Sequence, residues 1–474
     1  MKRKTGYIAV WLVLGLFWAG CELVGETGEV SLDEVTDIRY GRHVQPLLNE
    51  KCTSCHGGST PEAGLSLESW ENLIAGSDFG EAVIAFDAES SLLVKMVTQL
   101  AGRPHPLEQG ADTLTQVETD FLIRWIEEGA RDDGGEVPYA GDGERLYVCN
   151  QDDATVSVID TETNVVVRTV RLTDFGFSVN AKPHHAAVEP DGAFWYVTLI
   201  GDNKVLKFNR ANELVGQADF ETPGLVAIHP TEDLLFVGRS LSAINPPTSI
   251  GMIRRSDMTI EEVPVVLPRP HALAIDPTGG YVFSASLALD ALITLDLATE
   301  DVTFTTVGGL RQTFVQHTIL PDGKTMFSTG QTSNQVLVFD ISNPTDIRQV
   351  DAINVSSGPW HPTHTPDGRF VYVGNLRANT ATVIDTESRF VVDIISGNGF
   401  AEPHGSAASA DGLHVYLSNR NTLKQYTPRY DFGDNDDVGT VVVINTLDNR
   451  IEKVLEVGRN TTGIGIAIAS PPGF

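Results

Sequence analysis

The sequence predicts a multidomain protein in which a small all-α domain is followed by an all-β propeller of seven blades. Three observations lead to this prediction. The chain has 474 residues, 41% of them apolar, and single cores stop growing at roughly 250 to 300 residues. The first third carries a C-x-x-C-H motif among helical apolar patterns. From residue 144 onward, short strand patterns recur with a period of about 45 residues.

The composition limits the possible partners. The chain has 33 basic and 63 acidic residues, which gives a net charge of -30. This charge repels phosphate backbones and anionic lipid surfaces. Nucleic acid is therefore not an expected partner, and a membrane is expected to be contacted through an anchor only.

Residues 1–20 have the layout of an export signal peptide, in which a basic triplet precedes an apolar run. The apolar run is shorter than a typical transmembrane helix. Its end, Ala19–Cys21, resembles a bacterial lipobox, although Trp18 stands where Leu is usual. The resemblance implies a lipid on Cys21, a polar tether over residues 21–37, and a lipid-anchored protein in the periplasm or at the cell surface. The alternative is ordinary cleavage that leaves Cys21 as a free thiol.

Cys52, Cys55 and His56 form the C-x-x-C-H motif. Two thiols at this spacing can both add to the vinyl groups of haem, and the adjacent imidazole reaches the iron. A redox dithiol and half of a zinc site are the alternatives, but the four cysteines include no second pair, and no thioredoxin-like strand precedes the motif. The motif predicts a covalently attached haem c with His56 as the proximal ligand.

The surrounding sequence supports a helical domain over residues 38–132. Thr115 and Glu118 are spaced as a capping box, and the helix that follows carries an apolar face. This face comprises Val117, Phe121, Leu122, Trp125 and Ile126. Together with "V-Q-P-L-L" before the motif and "G-L-S-L" after it, these features resemble the cytochrome c domains that bacteria, planctomycetes among them, append to larger exported proteins.

The family usually carries Met-Pro at the sixth iron ligand, where this chain has Arg103–Leu107. His105 lies roughly at the ligand position, and Met96 is the second candidate. A histidine in place of methionine is expected to lower the reduction potential and to close the iron to added ligands. The alternative is that His105 is a loop residue beside two prolines and that the iron is open or bound to methionine.

After a linker over residues 133–143, residues 144–474 repeat one unit. An aromatic residue recurs once in each of seven units, at Tyr147, Tyr196, Phe236, Phe283, Phe327, Tyr372 and Tyr416. Four short strands per unit are typical of a propeller blade. The C-terminal segment is expected to supply the innermost strand of the first blade and so close the ring. The repeats resemble the YVTN family of bacterial propellers, with Tyr147–Asn150 in place of the namesake tetrapeptide; the resemblance specifies the fold and little about function.

Seven of the twelve histidines lie on or just before the expected innermost strands: His184, His185, His271, His317, His361, His364 and His404. Equivalent positions surround the propeller axis, and converging neutral imidazoles suit copper, zinc or iron. We expect a metal site formed by some of His184, His271, His361 and His404, with the other three in reserve. Copper is favoured by resemblance to nitrous oxide reductase, which carries a multi-histidine copper cluster in a seven-bladed propeller. In the alternative, the imidazole rings only fill the propeller channel. His317 and His361 are displaced from the repeat position that the other histidines share, which favours this alternative.

These features predict an exported haem protein for electron transfer. In one hypothesis the propeller only docks a redox partner protein. In the other the chain is an oxidoreductase whose propeller metal centre exchanges electrons with the haem.

Overall fold

The computed structural model describes residues 32–99, 105, 113–240 and 246–467. The predicted signal peptide and Cys21 lie outside the described residues. The chain divides into two compact units, residues 1–37 and residues 38–474. In the first unit the described residues form a short 3-10 helix, Leu32–Glu34. Within the described ranges, none of the helices has the length and apolar character needed to cross a membrane.

The second unit begins with helices. A π-helical turn, Tyr40–Val44, leads into α1 (Gln45–Lys51), which is followed by a 3-10 turn at Glu62–Gly64, α2 (Trp70–Ala75), α3 (Leu92–Thr98) and α4 (Gln116–Glu127). The predicted capping box is present at the start of α4. The Thr115 side chain accepts from the Glu118 amide at 3.3 Å, and a Glu118 carboxylate oxygen accepts from the Thr115 amide at 2.6 Å.

Helix α4 buries four of the five residues expected on its apolar face. Phe121, Leu122, Trp125 and Ile126 are at most 2% exposed, whereas Val117 is 49% exposed. The prediction for Val117 was wrong because α4 begins with two exposed residues, Gln116 and Val117, and its burial starts at Thr119. Trp125 packs against the ring of Tyr40 with 5.6 Å between ring centres, which joins the two ends of the helical segment into one core.

Twenty-eight strands follow within the described residues. They are β1 (Arg145–Asn150), β2 (Thr155–Asp160), β3 (Val165–Arg171), β4 (Pro183–Val188), β5 (Phe194–Leu199), β6 (Lys204–Asn209), β7 (Leu214–Asp219), β8 (Pro223–Ile228), β9 (Leu234–Arg239), β10 (Ser249–Arg254), β11 (Ile260–Pro264), β12 (Pro270–Ile275), β13 (Tyr281–Ser286), β14 (Ala291–Asp296), β15 (Val302–Thr306), β16 (Phe314–Ile319), β17 (Thr325–Gly330), β18 (Gln335–Asp340), β19 (Arg348–Asn354), β20 (Pro359–His364), β21 (Phe370–Asn375), β22 (Thr380–Asp385), β23 (Phe390–Ile395), β24 (Pro403–Ala408), β25 (His414–Asn419), β26 (Val438–Asn445), β27 (Arg450–Arg459) and β28 (Thr461–Ile466). A 3-10 turn, Leu172–Phe175, follows β3.

The strands form seven antiparallel sheets of four strands each, which confirms the seven blades. Blade 1 is β28-β1-β2-β3, and blades 2 to 7 each take the next four consecutive strands, from β4–β7 to β24–β27. The C-terminal strand therefore closes the ring, as the sequence predicts. The hydroxyl of Thr462 on β28 lies 3.3 to 3.4 Å from the carbonyl oxygens of Cys149, Pro183 and His184, so it links blade 1 to blade 2.

The seven repeated aromatic residues occupy the second strand of every blade and are at most 1% exposed. They fill the space between adjacent sheets. Tyr147 of blade 1, for example, stacks on Trp195 of blade 2 with 4.5 Å between ring centres. This repeated inter-blade packing explains why the aromatic period gave the correct number of blades.

The helical segment packs on the outer strands of blades 1 and 7. Ile84 lies in one buried cluster with β-strand residues of both blades. Arg171, the last residue of β3, forms a two-point ion pair with Asp87 at 2.7 and 3.2 Å. Arg429, in the blade 7 insertion, lies 3.9 Å above the ring of Phe79 and donates to its carbonyl oxygen. Apolar burial and ion pairing thus fix the helical segment to the rim of the propeller.

Candidate haem site and histidine cluster

The C-x-x-C-H motif lies in a turn that directly follows α1. The amide of His56 donates to the carbonyl of Cys52 at 3.0 Å, and the amide of Cys55 donates to the same carbonyl at 3.2 Å. The carbonyl of His56 in turn accepts from the amide of Leu67 at 2.8 Å. The motif is therefore held on both sides, by α1 before it and by the "G-L-S-L" segment after it.

Both thiols of the motif are free and half-buried. Burial, and then the neighbouring Cys55, raise the pKa of the Cys52 thiol to about 11. Cys52 is therefore a protonated thiol at neutral pH. Redox-active dithiols depend on a stabilised thiolate, so this environment disfavours the redox-dithiol alternative.

The structure places His105 beside His56. Their ring centres are 6.0 Å apart and the rings are tilted by 34°. With a metal–nitrogen bond of about 2 Å and a ring centre about 1 Å beyond each nitrogen, two imidazoles on opposite sides of one metal have centres about 6 Å apart. Each ring also has a buried Nδ1 with no hydrogen-bond partner. The spacing and the unpartnered nitrogens of these two side chains fit residues that would both hold the iron of one haem.

Burial lowers the pKa of His105, and the charge of His56 lowers it further. A neutral imidazole is the form that binds a metal ion. The other candidate for the sixth ligand, Met96, lies half-buried within α3. The observed pairing of rings favours His105 over Met96.

Five histidines form a second cluster on the innermost strands, which we call the axial cluster. Its members lie on blades 2, 4, 6 and 7, and neighbouring rings have centres 5.2 to 5.9 Å apart. The neighbouring pairs are His271 with His184, His184 with His404, His404 with His361, and His361 with His185. Of the three rings that were predicted to converge, His184 thus lies next to both His271 and His404.

His361 joins the axial cluster in spite of its displaced register. A β-bulge lies at the second and third positions of the innermost strands β4, β20 and β24. Bulges re-aim side chains, so that His404 at a second position and His361 at a third position both reach the axis, 5.2 Å apart. The bulge could not be predicted from the sequence, because a bulge is visible only in the pairing of the innermost strand with its neighbour.

The remaining reserve histidines have other partners. Nδ1 of His317 lies 2.7 Å from the hydroxyl of Ser328, and its ring centre lies 6.4 Å from that of Phe314. Nδ1 of His364 bonds to the carbonyl of Thr365 at 2.8 Å. We therefore assign both residues to the packing of their own blades.

The axial histidines are uncharged at neutral pH. Burial lowers the pKa of His271 to about 4 and that of His185 to about 3. Burial also holds the pKa of His184, His361 and His404 well below the usual value, and the neighbouring rings lower it further. Each ring therefore offers one nitrogen lone pair.

Hydrogen bonds fix which nitrogen carries the proton in two of these rings. Nδ1 of His271 bonds to the carbonyl of Arg239 at 3.0 Å, so this nitrogen donates and Nε2 keeps its lone pair. Nδ1 of His185 instead accepts from the amide of Val226 at 3.3 Å, which leaves the proton on Nε2.

Three other ring nitrogens of the axial cluster are buried without a partner: Nε2 of His184, Nε2 of His361 and Nδ1 of His404. The indole nitrogen of Trp360, whose ring lies 5.1 Å from that of His404, is also unpartnered. Within the described ranges, no group of three or more His, Cys, Asp or Glu side chains surrounds a single point as a metal ion requires. The axial cluster is an arc of neighbouring pairs.

The two candidate sites are separated within the unit. The helical segment contacts the outer strands β3 and β27, whereas the axial histidines lie on innermost strands. Three strand spacings, on the order of 14 Å, separate the outer from the innermost strand of a blade. The haem motif and the axial cluster therefore do not share one site.

A cavity of about 560 Å³ lies between the helical segment and blades 1 and 7, and no sequence pattern predicts it. Its wall includes Glu81, whose carboxylate accepts from the Val166 amide at 3.2 Å. Burial raises the pKa of Glu81 to about 7, although Lys95 and Lys453 act in the opposite direction.

Comparison with known proteins supports both parts of the chain. Residues 52–103 match a family model described as planctomycete cytochrome C, and residues 264–383 match one described as lactonase, 7-bladed beta-propeller. With the seven blades of the structure, these matches show that the chain joins a planctomycete-type cytochrome c domain to a seven-bladed propeller.

Individual relatives are distant. The uncharacterized protein YwhL of Bacillus subtilis (strain 168) is 28% identical over 146 residues, which cover 30% of this chain and 28% of the length of that relative. A functionally unknown protein from Desulfotomaculum acetoxidans DSM 771 has a structure similar to 69% of this chain and 100% of its own, with a TM-score of 0.56 and 16% identity. The latter likeness shows the fold alone.

Proposed function

We propose that the chain is an exported, lipid-anchored c-type haem protein that transfers electrons to a redox partner protein in the periplasm or at the cell surface. The observation that carries the proposal is the pairing of His56 with His105 beside the two free thiols of the motif. The cytochrome match over residues 52–103 supports it. Export and the anchor rest on the signal-like residues 1–20 and on Cys21.

Four residues would hold the haem. Cys52 and Cys55 would form the covalent bonds, His56 would be the proximal iron ligand, and His105 the distal one. The bound haem supplies reversible one-electron exchange. If both imidazoles of His56 and His105 bind the iron, they would exclude small exogenous ligands from it.

The test of this assignment compares two variants of protein matured in a host with c-type haem assembly. His105→Ala should open the sixth position, so that the reduced protein binds carbon monoxide and its visible spectrum shifts. Met96→Ala should leave the spectrum unchanged and exclude carbon monoxide as the wild type does. If Met96→Ala opens the iron and His105→Ala does not, the ligand assignment is wrong.

The anchor is tested separately, by fractionation of cells. Cys21→Ser should release the protein from the membrane fraction without changing its haem content. If the variant stays in the membrane fraction, the proposed lipid at Cys21 is wrong, whereas the haem assignment is unaffected.

A second candidate function is that of an oxidoreductase with a copper or other metal centre at the propeller axis. The convergence of five uncharged imidazoles is the observation that favours it. Elemental analysis for iron and copper tests it, since iron near one per chain without copper leaves only the electron carrier. Stoichiometric copper beside iron would support the two-centre enzyme.

A further inference from the structure

We infer that the cavity between the helical segment and blades 1 and 7 binds a neutral sugar, either a monosaccharide or a disaccharide. Its volume of about 560 Å³ is typical of small-molecule sites, which span about 300 to 1,000 Å³ and often lie where two parts of a protein meet. Glu89 lines the cavity and is 81% exposed, so the cavity opens to solvent at this side. The inference goes beyond electron transfer and does not depend on the haem.

Small polar residues of blade 1 leave this space open. Ser157 on β2 and Thr169 on β3 lie opposite each other, and both line the cavity. In blade 4 the corresponding residues are Ile293 and Phe304, which also lie opposite each other. Ile293 is fully buried in a cluster with residues of blade 3. Ser157 is too small to fill the gap to the preceding blade in the same way, so the gap between blades 7 and 1 keeps a cavity.

The arginines of the cavity wall already have partners, so the wall does not select an anion. Arg459 forms an ion pair with Asp153 at 2.6 Å. Arg171 forms one with Asp87 at 2.7 Å. The carboxylate of Glu456 lies in the same wall and would repel an anionic ligand.

A cationic ligand is disfavoured as well, because the protein's own cations already contact two aromatic rings of the wall. The guanidinium of Arg429 lies 3.9 Å above the ring of Phe79, and the ammonium of Lys95 lies 5.8 Å from the ring centre of Phe432. Both cations would repel a third one placed between them and the propeller. The charges of the cavity therefore favour a neutral ligand.

The remaining polar groups of the wall match the hydroxyls of a sugar. The hydroxyls of Thr169 and Tyr430 can both donate and accept, since neither hydroxyl has a hydrogen-bond partner in the described part of the chain. In Glu456, Oε1 accepts from the Tyr426 hydroxyl at 2.8 Å and from the Arg429 amide at 2.7 Å, which leaves Oε2 to accept from a ligand. Sugar hydroxyls both donate and accept, so they can pair with all three groups. The ring of Tyr430 also offers an apolar surface to the C–H face of a sugar.

The test is isothermal titration calorimetry of the full-length protein with six neutral sugars: glucose, galactose, mannose, xylose, maltose and cellobiose. At least one of them should bind with a Kd at or below about 1 mM. The uronate and the amino form of the sugar that binds carry a negative and a positive charge on the same ring. Both should bind about tenfold more weakly or worse.

The site is tested with variants of its wall. Thr169→Val keeps the shape of the side chain and removes the hydroxyl, so it should raise the Kd about three- to tenfold. Tyr430→Ala should raise it further, because the aromatic surface is lost too. Thr303→Val is the matched control, since Thr303 lies half-buried on β15, an outer strand of blade 4, and should leave the Kd unchanged.

Thermal unfolding shows whether each variant is folded, and Tyr430→Phe replaces Tyr430→Ala if the latter does not fold. Binding of none of the six sugars would overturn the inference. Tighter binding of the uronate or the amino form would overturn the assignment of a neutral ligand. Binding that Thr169→Val and the Tyr430 variant leave unchanged would place the sugar elsewhere and overturn the site. Haem content, measured on the same samples, tests the proposed electron transfer function independently.

Discussion

The ion pair between Arg171 and Asp87 is expected to hold the helical segment on the propeller, and Arg171→Ala tests this. The Asp87 side chain is 4% exposed and that of Arg171 is 30% exposed. Removing one partner of a buried pair costs about 3 to 5 kcal/mol, because the other charge stays buried without compensation. Since Arg171 is partly exposed, solvent screens part of this effect, and we expect a loss of about 2 to 3 kcal/mol.

The matched control is Arg348→Ala. Arg348 and Asp346 form a pair at 2.5 Å whose side chains are 71% and 56% exposed. Exposed pairs contribute little to stability. Urea unfolding of both variants gives the comparison, and limited proteolysis within residues 133–143 reports whether the helical segment has detached.

A double variant makes the test sharper. Arg171→Ala combined with Asp87→Ala should cost less than Arg171→Ala alone, because it leaves no buried carboxylate without a partner. The reasoning is refuted if Arg171→Ala lowers the free energy of unfolding no more than Arg348→Ala does. Equal losses in the single and double variants would also contradict it.

Three further predictions follow from the fold. The raised pKa of Glu81 adds stability that is fully present below about pH 4.5 and is lost as the pH rises through about 7. Glu81→Gln should remove this pH dependence, which is measured by urea unfolding at several pH values. An unchanged pH profile of stability would contradict the prediction. Deleting residues 461–474 removes β28 and should prevent the propeller ring from closing. The expected signs are aggregation and the loss of cooperative thermal unfolding. A monomer that melts as the wild type does would contradict the role of β28 in ring closure. Trp125→Ala should cost about 3 to 5 kcal/mol, whereas Val117→Ala, at an exposed position, should cost less than about 0.5 kcal/mol; equal costs in urea unfolding would contradict the assigned core.

The repeat made the propeller predictable from the sequence. Each blade buries one aromatic residue of its second strand, and this shared requirement gave the number of blades and the closure by β28. The capping box of α4 was equally visible, because Thr115 and Glu118 are three residues apart and interact locally. Features set by local chemistry or by a repeated environment can be predicted in this way.

Features set by long-range contacts could not be predicted. The helical segment packs on blades 1 and 7 through Arg171 and Arg429, and in the sequence these residues look like any other surface arginines. His361 reaches the axis because of a bulge. The proton of His185 lies on Nε2 because Nδ1 accepts from a backbone amide 41 residues away. None of these contacts has a sequence pattern of its own.

Covalent attachment of haem through Cys52 and Cys55 is the central claim. It is tested on denatured protein from a host with c-type haem assembly, by haem staining after gel electrophoresis and by intact mass. The account predicts one haem per chain that survives denaturation, is lost in the C52A/C55A double variant and is kept in Cys149→Ala, whose thiol is buried in β1. Covalent haem retained without Cys52 and Cys55, or absent from the wild type, would contradict it.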